Sequence, residues 1–124
     1  MKLTNETIYS YGTALMTIFD ENFNIYIPAK ANFFIQKNRN IVIEAAKEID
    51  SARMKIIQHY GELIPETQEY RINPENTEQV VAELQELFAI EQDLNIKTFK
   101  IEDLGNVEFT PSQMSAIMFM IDED

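Results

Sequence analysis

The stretch PAKANFFIQKNRNIVIEAAKEIDSARMKIIQHYG, from Pro28 to Gly61, decides the fold of this chain. From Ala29 to Tyr60 it contains neither proline nor glycine, and its apolar residues recur at spacings of three and four, which is typical of an amphipathic helix. Pro28 suits the start of a helix and Gly61 suits its C-cap. We therefore predict one helix about 48 Å long at 1.5 Å per residue. Its apolar stripe comprises Ala31, Phe34, Ile35, Ile41, Ala45, Ile49, Ala52, Ile56 and Tyr60.

A helix of that length needs a second helix along it, and the best candidate runs from Pro74 to Gln92. Asn73 can cap this helix and Pro74 can open it. Residues 28–61 carry six basic and three acidic side chains, whereas residues 62–93 carry one basic and nine acidic side chains. Opposite charges favour antiparallel docking, although each exposed pair contributes only about 0–1 kcal/mol. The apolar face of the second helix comprises Val80, Val81, Leu84, Leu87 and Phe88.

Shorter elements complete the predicted fold. A first helix runs from Asn5 to Phe19, although Gly12 inside it costs about 1 kcal/mol of helix stability. Ile96 to Ile101 is rich in β-formers and is predicted as a strand that pairs with an extended piece at 24–27 or at 70–72. The fold class is mainly α (α+β): a long antiparallel helical hairpin, two short helices and a small β element.

The chain closes on a strongly apolar helix, FTPSQMSAIMFMIDED, from Phe109 to Asp124. Threonine, proline and glutamine at 110, 111 and 113 form a capping-box pattern. On a helical wheel, Met114, Ile117, Met118 and Ile121 share the arc that faces the core, while Phe119 and Met120 lie outside it. Either this helix is buried between other elements, or its spare face is an interface for self-association or for a partner. The candidate interface residues are Met114, Met118, Phe119 and Met120.

The composition restricts the classes of function. A chain of 124 residues with 45% hydrophobic residues forms one domain, 1–124, with a genuine core. It has no cysteine, which excludes disulfides and thiolate chemistry. No signal peptide or membrane span is visible, so we expect a cytoplasmic protein that does not bind membranes. A net charge of −11 argues against direct nucleic-acid binding, because phosphate contacts need a basic surface.

The acidic charge has two interpretations. It can serve solubility alone, or it can let the protein compete for a basic nucleic-acid channel on another protein. The second interpretation places the partner-binding surface on the acidic helix and its flanks. Its candidate residues are Glu75, Glu78, Glu83, Glu86 and Glu91.

One basic cluster interrupts the acidic composition, within KANFFIQKNRN from Lys30 to Asn40. Lys30, Lys37 and Arg39 could contact an anionic ligand such as a nucleotide phosphate. They could equally pair with the acidic helix, and we favour that interpretation.

No catalytic constellation is visible. His59, the sole histidine, stands near the C-terminus of the long helix, where its protonated form would suit the helix dipole. Side-chain oxygens at Asp20, Asn22 and Asn24 have the spacing of a calcium-binding loop. However, Ile25 and Ala31 occupy the positions that require glycine and glutamate, so we reject a calcium site. No phosphate-binding, dinucleotide-binding or nucleophile-elbow motif occurs. We therefore expect no enzymatic activity, no metal and no cofactor.

Four stretches carry a resemblance. NETIYSYGTALMTIF, IPAKANFFIQKNRNIVIEAAKEIDSARMKIIQHYGE, YRINPEN and IEDLGNVEFTPSQMSAIMFMI resemble, in this order, a family of small phage and prophage proteins from Gram-positive bacteria. The likeness covers most of the chain and rests on order and spacing, not on a catalytic motif. The resemblance implies a phage accessory protein and supplies no site residues.

Three functions follow as hypotheses. The first is a non-enzymatic protein that binds a host or phage protein, for example an inhibitor of host defence. The second is an oligomeric component of phage structure or assembly. The third is a sponge for a small molecule such as a nucleotide.

Overall fold

The structure is a computed structural model that describes residues 1–18 and 24–122. Phe19, the predicted last residue of the first helix, lies outside the described residues, and so do residues 20–23 of the stretch considered above as a calcium loop. The mainly α (α+β) class is confirmed. The helices are α1 (Asn5–Ile18), α2 (Ala29–Tyr60), α3 (Thr77–Ala89) and α4 (Pro111–Ile117). The strands are β1 (Lys2–Thr4), β2 (Gly61–Ile64), β3 (Glu69–Ile72), β4 (Glu91–Asp93), β5 (Phe99–Lys100) and β6 (Ile121–Asp122).

The long helix α2 is the axis of the molecule, and its predicted bounds are confirmed. Its fully buried side chains all lie between Ala31 and Ile49. Gly61 is the C-cap of α2, as predicted, and its backbone there is extended (φ −113°, ψ 170°) and begins β2. Glycine is favoured at this position because a Cβ would lie 2.7 Å from the carbonyl oxygen of Ile57.

Two helices pack antiparallel to α2, and the sequence predicts only one of them as its partner. The predicted partner α3 lies along the C-terminal part of α2, where the Asn76 side chain donates to the carbonyl of Tyr60 at 3.4 Å. The first helix, α1, packs more extensively along the middle of α2. There the Tyr9 hydroxyl donates to the Asp50 carboxylate at 3.1 Å. The helical hairpin is therefore present, but α1 is the larger partner.

The contact between α1 and α2 depends on Gly12. A Cβ added at Gly12 would lie 2.5 Å from the Cβ of Ala46. In an open helix, alanine would be more stable than glycine by about 1 kcal/mol. Here we expect Gly12→Ala to lower the free energy of unfolding by about 1–3 kcal/mol, because the two helices must separate. Urea denaturation measures the change.

The matched control for this prediction is the exchange of the two residues. Gly12→Ala combined with Ala46→Gly moves the missing methyl group to the other helix, so the double variant should regain most of the stability lost by the first substitution. A gain in stability from Gly12→Ala alone would show that the helices are not in close contact at this point.

Short strand pairs replace the small β element that the sequence predicts. The extended piece predicted at 70–72 lies within β3, but it pairs antiparallel with β2 and not with the segment at 96–101. The strand predicted at 96–101 shrinks to β5, which pairs in parallel with β6 and not with 24–27 or 70–72. Residues 24–28, all described, form no strand. The Phe99 side chain of β5 is buried in the core, and Ile121 of β6 packs against the same core.

The chain end departs from the helical wheel. The predicted capping box is confirmed: the Gln113 backbone N–H donates to the Thr110 hydroxyl at 3.2 Å, and the Thr110 N–H donates to the Gln113 side chain at 2.9 Å. However, α4 ends at Ile117 and the chain tightens into a 3-10 turn over Met118–Met120. In such a turn, side chains three residues apart eclipse each other, so Met120 follows Ile117 into the core.

The wheel is therefore wrong for two methionines. Met118, predicted to face the core, has 51% of its surface exposed, and Met120, predicted to face outward, has 0% exposed.

Candidate functional site

The acidic residues of α3 and its flanks all lie on the surface. Glu83 differs from the others because it accepts a hydrogen bond from the Tyr60 hydroxyl. This hydrogen bond raises the pKa of Tyr60, and partial burial and the negative charge of Glu83 raise it further. Glu83 therefore helps to hold α3 on α2. Within residues 1–18 and 24–122, no ion pair involves the other four, which are Glu75, Glu78, Glu86 and Glu91.

A groove of about 660 Å³ runs beside this acidic surface, between the start of α1 and the outer flank of α3. Val81, Leu84 and Phe88 supply its apolar floor. The sequence predicts that all three face the core. Leu84 and Phe88 are half-buried, but Val81 has 46% of its surface exposed. The remaining lining residues are Thr4, Glu6, Gln85 and Ala89.

Three carboxylates lie in or beside the groove. Glu6 lines it directly. Glu78 stands one helical turn before Val81 on the same side of α3. Glu91 is the register partner of Thr4, and directly opposite residues of an antiparallel pair project to the same side. Glu6, Glu78 and Glu91 are the groove rim.

Asn5 fixes the position of α1 relative to the end of α3. Its side-chain nitrogen donates to the carbonyl of Leu87 at 2.9 Å, and its oxygen accepts from the Gln92 side chain at 2.7 Å. Its backbone N–H donates to the carbonyl of Ile90 at 2.8 Å. Buried polar groups that are fully hydrogen-bonded in this way specify one arrangement. The groove is therefore built into the fold.

The structure does not bring the three basic candidates together, and the expectation that they pair with α3 is wrong. Lys30 contacts Asp103 at 3.4 Å, and the Lys37 ammonium lies 6.0 Å from the ring centre of Phe33. Arg39 lies nine residues after Lys30, which places it on the opposite side of α2. All three are in the N-terminal part of α2, whereas α3 lies along the C-terminal part.

Asp103 is the carboxylate that holds Lys30. The backbone N–H of Lys100 donates to it at 3.0 Å. That hydrogen bond lowers the pKa of Asp103 most, and Lys30 lowers it further, against the opposing effect of burial.

The closing segment offers little free surface as an interface. Phe119 is half-buried and stacks on Tyr11, with ring centres 4.3 Å apart and planes 10° from parallel. Met114 is half-buried and Met120 is fully buried. The 3-10 turn explains why these side chains are not exposed as the helical wheel predicts. Of the four candidate interface residues, Met118 is the exposed one.

The sole histidine lies at the end of α2. His59 is exposed in the last turn of α2, where its ring packs edge-on against Tyr60. Across the described residues, no group of three or more histidine or carboxylate side chains is placed to hold a metal ion. The helices within those residues include none that is both long and apolar enough to cross a bilayer.

Sequence reasoning misses the α1 side of the groove. Thr4 belongs to a three-residue strand, which is too short to show an alternating pattern, and Glu6 is not distinguished from other acidic residues. Neither has a local signal, because the contact between β1 and β4 spans almost ninety residues.

No family model matches this chain, and no curated protein or solved structure is significantly similar to it.

Proposed function

We propose that this protein acts by non-enzymatic binding to a basic surface on another protein, through the acidic side of α3. The observation that carries the proposal is the set of exposed carboxylates on and beside α3 that have no ion-pair partner in the described part of the chain. Glu78 and Glu91 also adjoin exposed apolar surface at the groove. Charges of one sign that are not used within the fold steer the approach of an oppositely charged partner.

The resemblance to small phage and prophage proteins supports a more specific version of this proposal. In it, the protein is a phage accessory factor that works in the cytoplasm of the host cell and obstructs a host-defence protein. A defence protein that handles nucleic acid has a basic channel, and an acidic protein surface can occupy such a channel in place of phosphates. The resemblance supplies the setting, and the exposed carboxylates supply the recognition.

Charge reversal tests the proposal. The variant carries Glu→Lys at 75, 78, 86 and 91, and it keeps Glu83 because that residue bonds to Tyr60. We expect the variant to lose at least about tenfold in affinity for the partner, since several attractive contacts become repulsive. The partner is first captured from nuclease-treated host lysate on the tagged wild-type protein, and affinity is then measured with the purified partner at two ionic strengths.

A matched control carries the same number of Glu→Lys changes on other exposed positions, at 62, 66, 69 and 108. It has the same net charge as the first variant, so it separates a local effect from general electrostatics. Circular dichroism confirms that both variants fold. Equal loss of affinity in the two variants, or unchanged affinity in the first, would contradict recognition by α3.

A second candidate function is assembly, and one observation favours it. Tyr26 and Phe33 are exposed around the N-terminus of α2, and Lys37 lies over the ring of Phe33. Exposed aromatics beside a cation are typical of protein interfaces. This surface replaces the closing segment as the candidate site of self-association, because Met120 is buried and Phe119 is packed against Tyr11. The nucleotide-sponge hypothesis has less support, since Lys30 and Arg39 lie on opposite sides of α2.

A further inference from the structure

We infer that the groove between α1 and α3 holds an amphipathic helix of the partner whose apolar side is flanked by lysine or arginine. This inference rests on the proposed function and names the segment that would enter the acidic surface. It commits to one occupant, a cationic helix, because the shape of the floor and the charge of the rim both favour it.

The floor of the groove fits a helix. Val81, Leu84 and Phe88 follow one another along α3 at spacings of three and four. From the first to the last they cover about 10 Å at 1.5 Å per residue, which is two helical turns. A partner helix that lies along α3 would present apolar side chains at the same spacing, as ridges of one helix fit the grooves of another.

The rim determines the sign of the partner's charge. Glu6 lines the groove, and Glu91 stands opposite Thr4, which also lines it. Glu78 stands one helical turn before Val81, so the three carboxylates in or beside the groove come from three separate elements. Lys2 is the cation closest to them along β1, and it stands opposite Asp93, whose pKa it helps to lower. The main cause of that lowered pKa is the hydrogen bond from the amino group of Met1. Asp93 forms an ion pair with the amino group of Met1 at 2.8 Å. No ion pair among the described residues joins Lys2 to a rim carboxylate, so the rim carboxylates remain available for the cations of a partner.

The same charges argue against other occupants. An anionic lipid surface or a nucleic acid would meet three carboxylates around a small apolar floor. A second copy of this chain remains an occupant that the experiment can detect, because its own helices could carry the apolar side.

The probe is a synthetic peptide of about fourteen residues, long enough for nearly four helical turns. It carries leucine at spacings of three and four, with lysine on both sides of that stripe. A scrambled peptide of the same composition lacks the stripe, and a third peptide replaces lysine by glutamate. We expect the first peptide to bind the full-length protein at least about tenfold more tightly than either of the others, measured by fluorescence anisotropy.

A substitution places the binding in the groove. Val81→Lys puts a long cation on the floor at an exposed position, so the fold should tolerate it while peptide affinity falls by about tenfold or more. The control is Ile101→Lys, which makes the same change at a residue with 57% of its surface exposed, on the 3-10 turn over 101–104. The control should leave affinity unchanged.

Each other outcome overturns the inference. Equal binding of the scrambled peptide would reduce the interaction to general charge attraction, and equal loss from both variants would place it elsewhere. If the wild-type protein sediments as a dimer that Val81→Lys dissociates, the occupant is a second copy.

The proposed function can hold even where this inference fails. A partner whose affinity survives Val81→Lys but not charge reversal at 75, 78, 86 and 91 would retain the acidic surface as the binding site. The groove would then have no role in that binding.

Discussion

Replacing Asn38 with leucine is expected to lower the free energy of unfolding by about 2–4 kcal/mol, although leucine has almost the same shape as asparagine. Asn38 is fully buried in the middle of α2. Its side-chain nitrogen donates to the carbonyl oxygen of Lys97 at 2.8 Å, and its oxygen accepts from the backbone N–H of Lys97 at 2.9 Å. Leucine would leave both backbone groups without a partner, at a cost of about 1–3 kcal/mol each where water cannot replace it.

The measurement is urea denaturation monitored by circular dichroism. The dependence of the free energy of unfolding on urea concentration is compared between the wild-type protein and the variant. If this slope is unchanged and the midpoint urea concentration is lower, the folded state of the variant is less stable and the compactness of the unfolded state is unchanged. A decrease of less than about 0.5 kcal/mol in the free energy of unfolding would contradict this prediction. It would mean that the two hydrogen bonds between Asn38 and Lys97 do not contribute to stability.

Asn38→Asp is the informative control, since it keeps the shape and changes only one group. The protonated carboxyl can donate to the Lys97 carbonyl and accept from its N–H, as the amide does. The ionised carboxylate can only accept, and its charge is buried, so the folded state raises the pKa of the introduced carboxyl above its unfolded value of about 3.9. Relative to the wild-type protein at the same pH, the variant should therefore lose least stability below that value and lose more as pH rises through the raised pKa.

The second large effect is expected at the chain end. Met120→Ala should lower the free energy of unfolding by about 2–5 kcal/mol, because it removes a fully buried side chain that contributes to the main core. Met118→Ala should change it by less than about 0.5 kcal/mol, because half of that side chain is already in water. Both values come from urea denaturation.

The two methionines control for each other, since the chemical change is the same and the positions are two residues apart. A regular helix continued from α4 would place Met118 in the core and reverse the order of the two effects. A larger loss from Met118→Ala would therefore contradict the 3-10 turn.

Local signals in the sequence predict α2 and the start of α4 well, but not the bounds of α3, which is predicted over 74–92 and spans Thr77–Ala89 after a 3-10 turn at Pro74–Asn76. The bounds of α2 follow from thirty-two residues without proline or glycine between Pro28 and Gly61, and the start of α4 follows from its capping box. In both cases the residues that determine the structure are neighbours along the chain, so their pattern is visible without any tertiary contact.

The strand pairs and the packing of α1 are not local in this sense. Phe99 meets Ile121, and Leu3 meets Gln92, through pairings of two or three residues that no periodicity reveals. Gly12 predicts a weak point in a helix, yet it permits a close approach of α1 to α2 at Ala46. The sequence predicts the acidic residues of the candidate site correctly as a surface. It cannot predict the groove beside them, because Glu6 and Thr4 reach α3 only through the fold.

The distribution of buried side chains along α2 has a consequence for the order of the molecule. All the buried residues of this helix lie between Ala31 and Ile49, and α3 contributes one, Val80. The last eleven residues of α2, the β2–β3 hairpin and α3 therefore form a region of low local stability, which opens more often than the region around Ile35 and Ile117. A partner that docks on α3 would suppress the local unfolding of this region. The amide hydrogens of the region would then exchange more slowly in the complex than in the free protein.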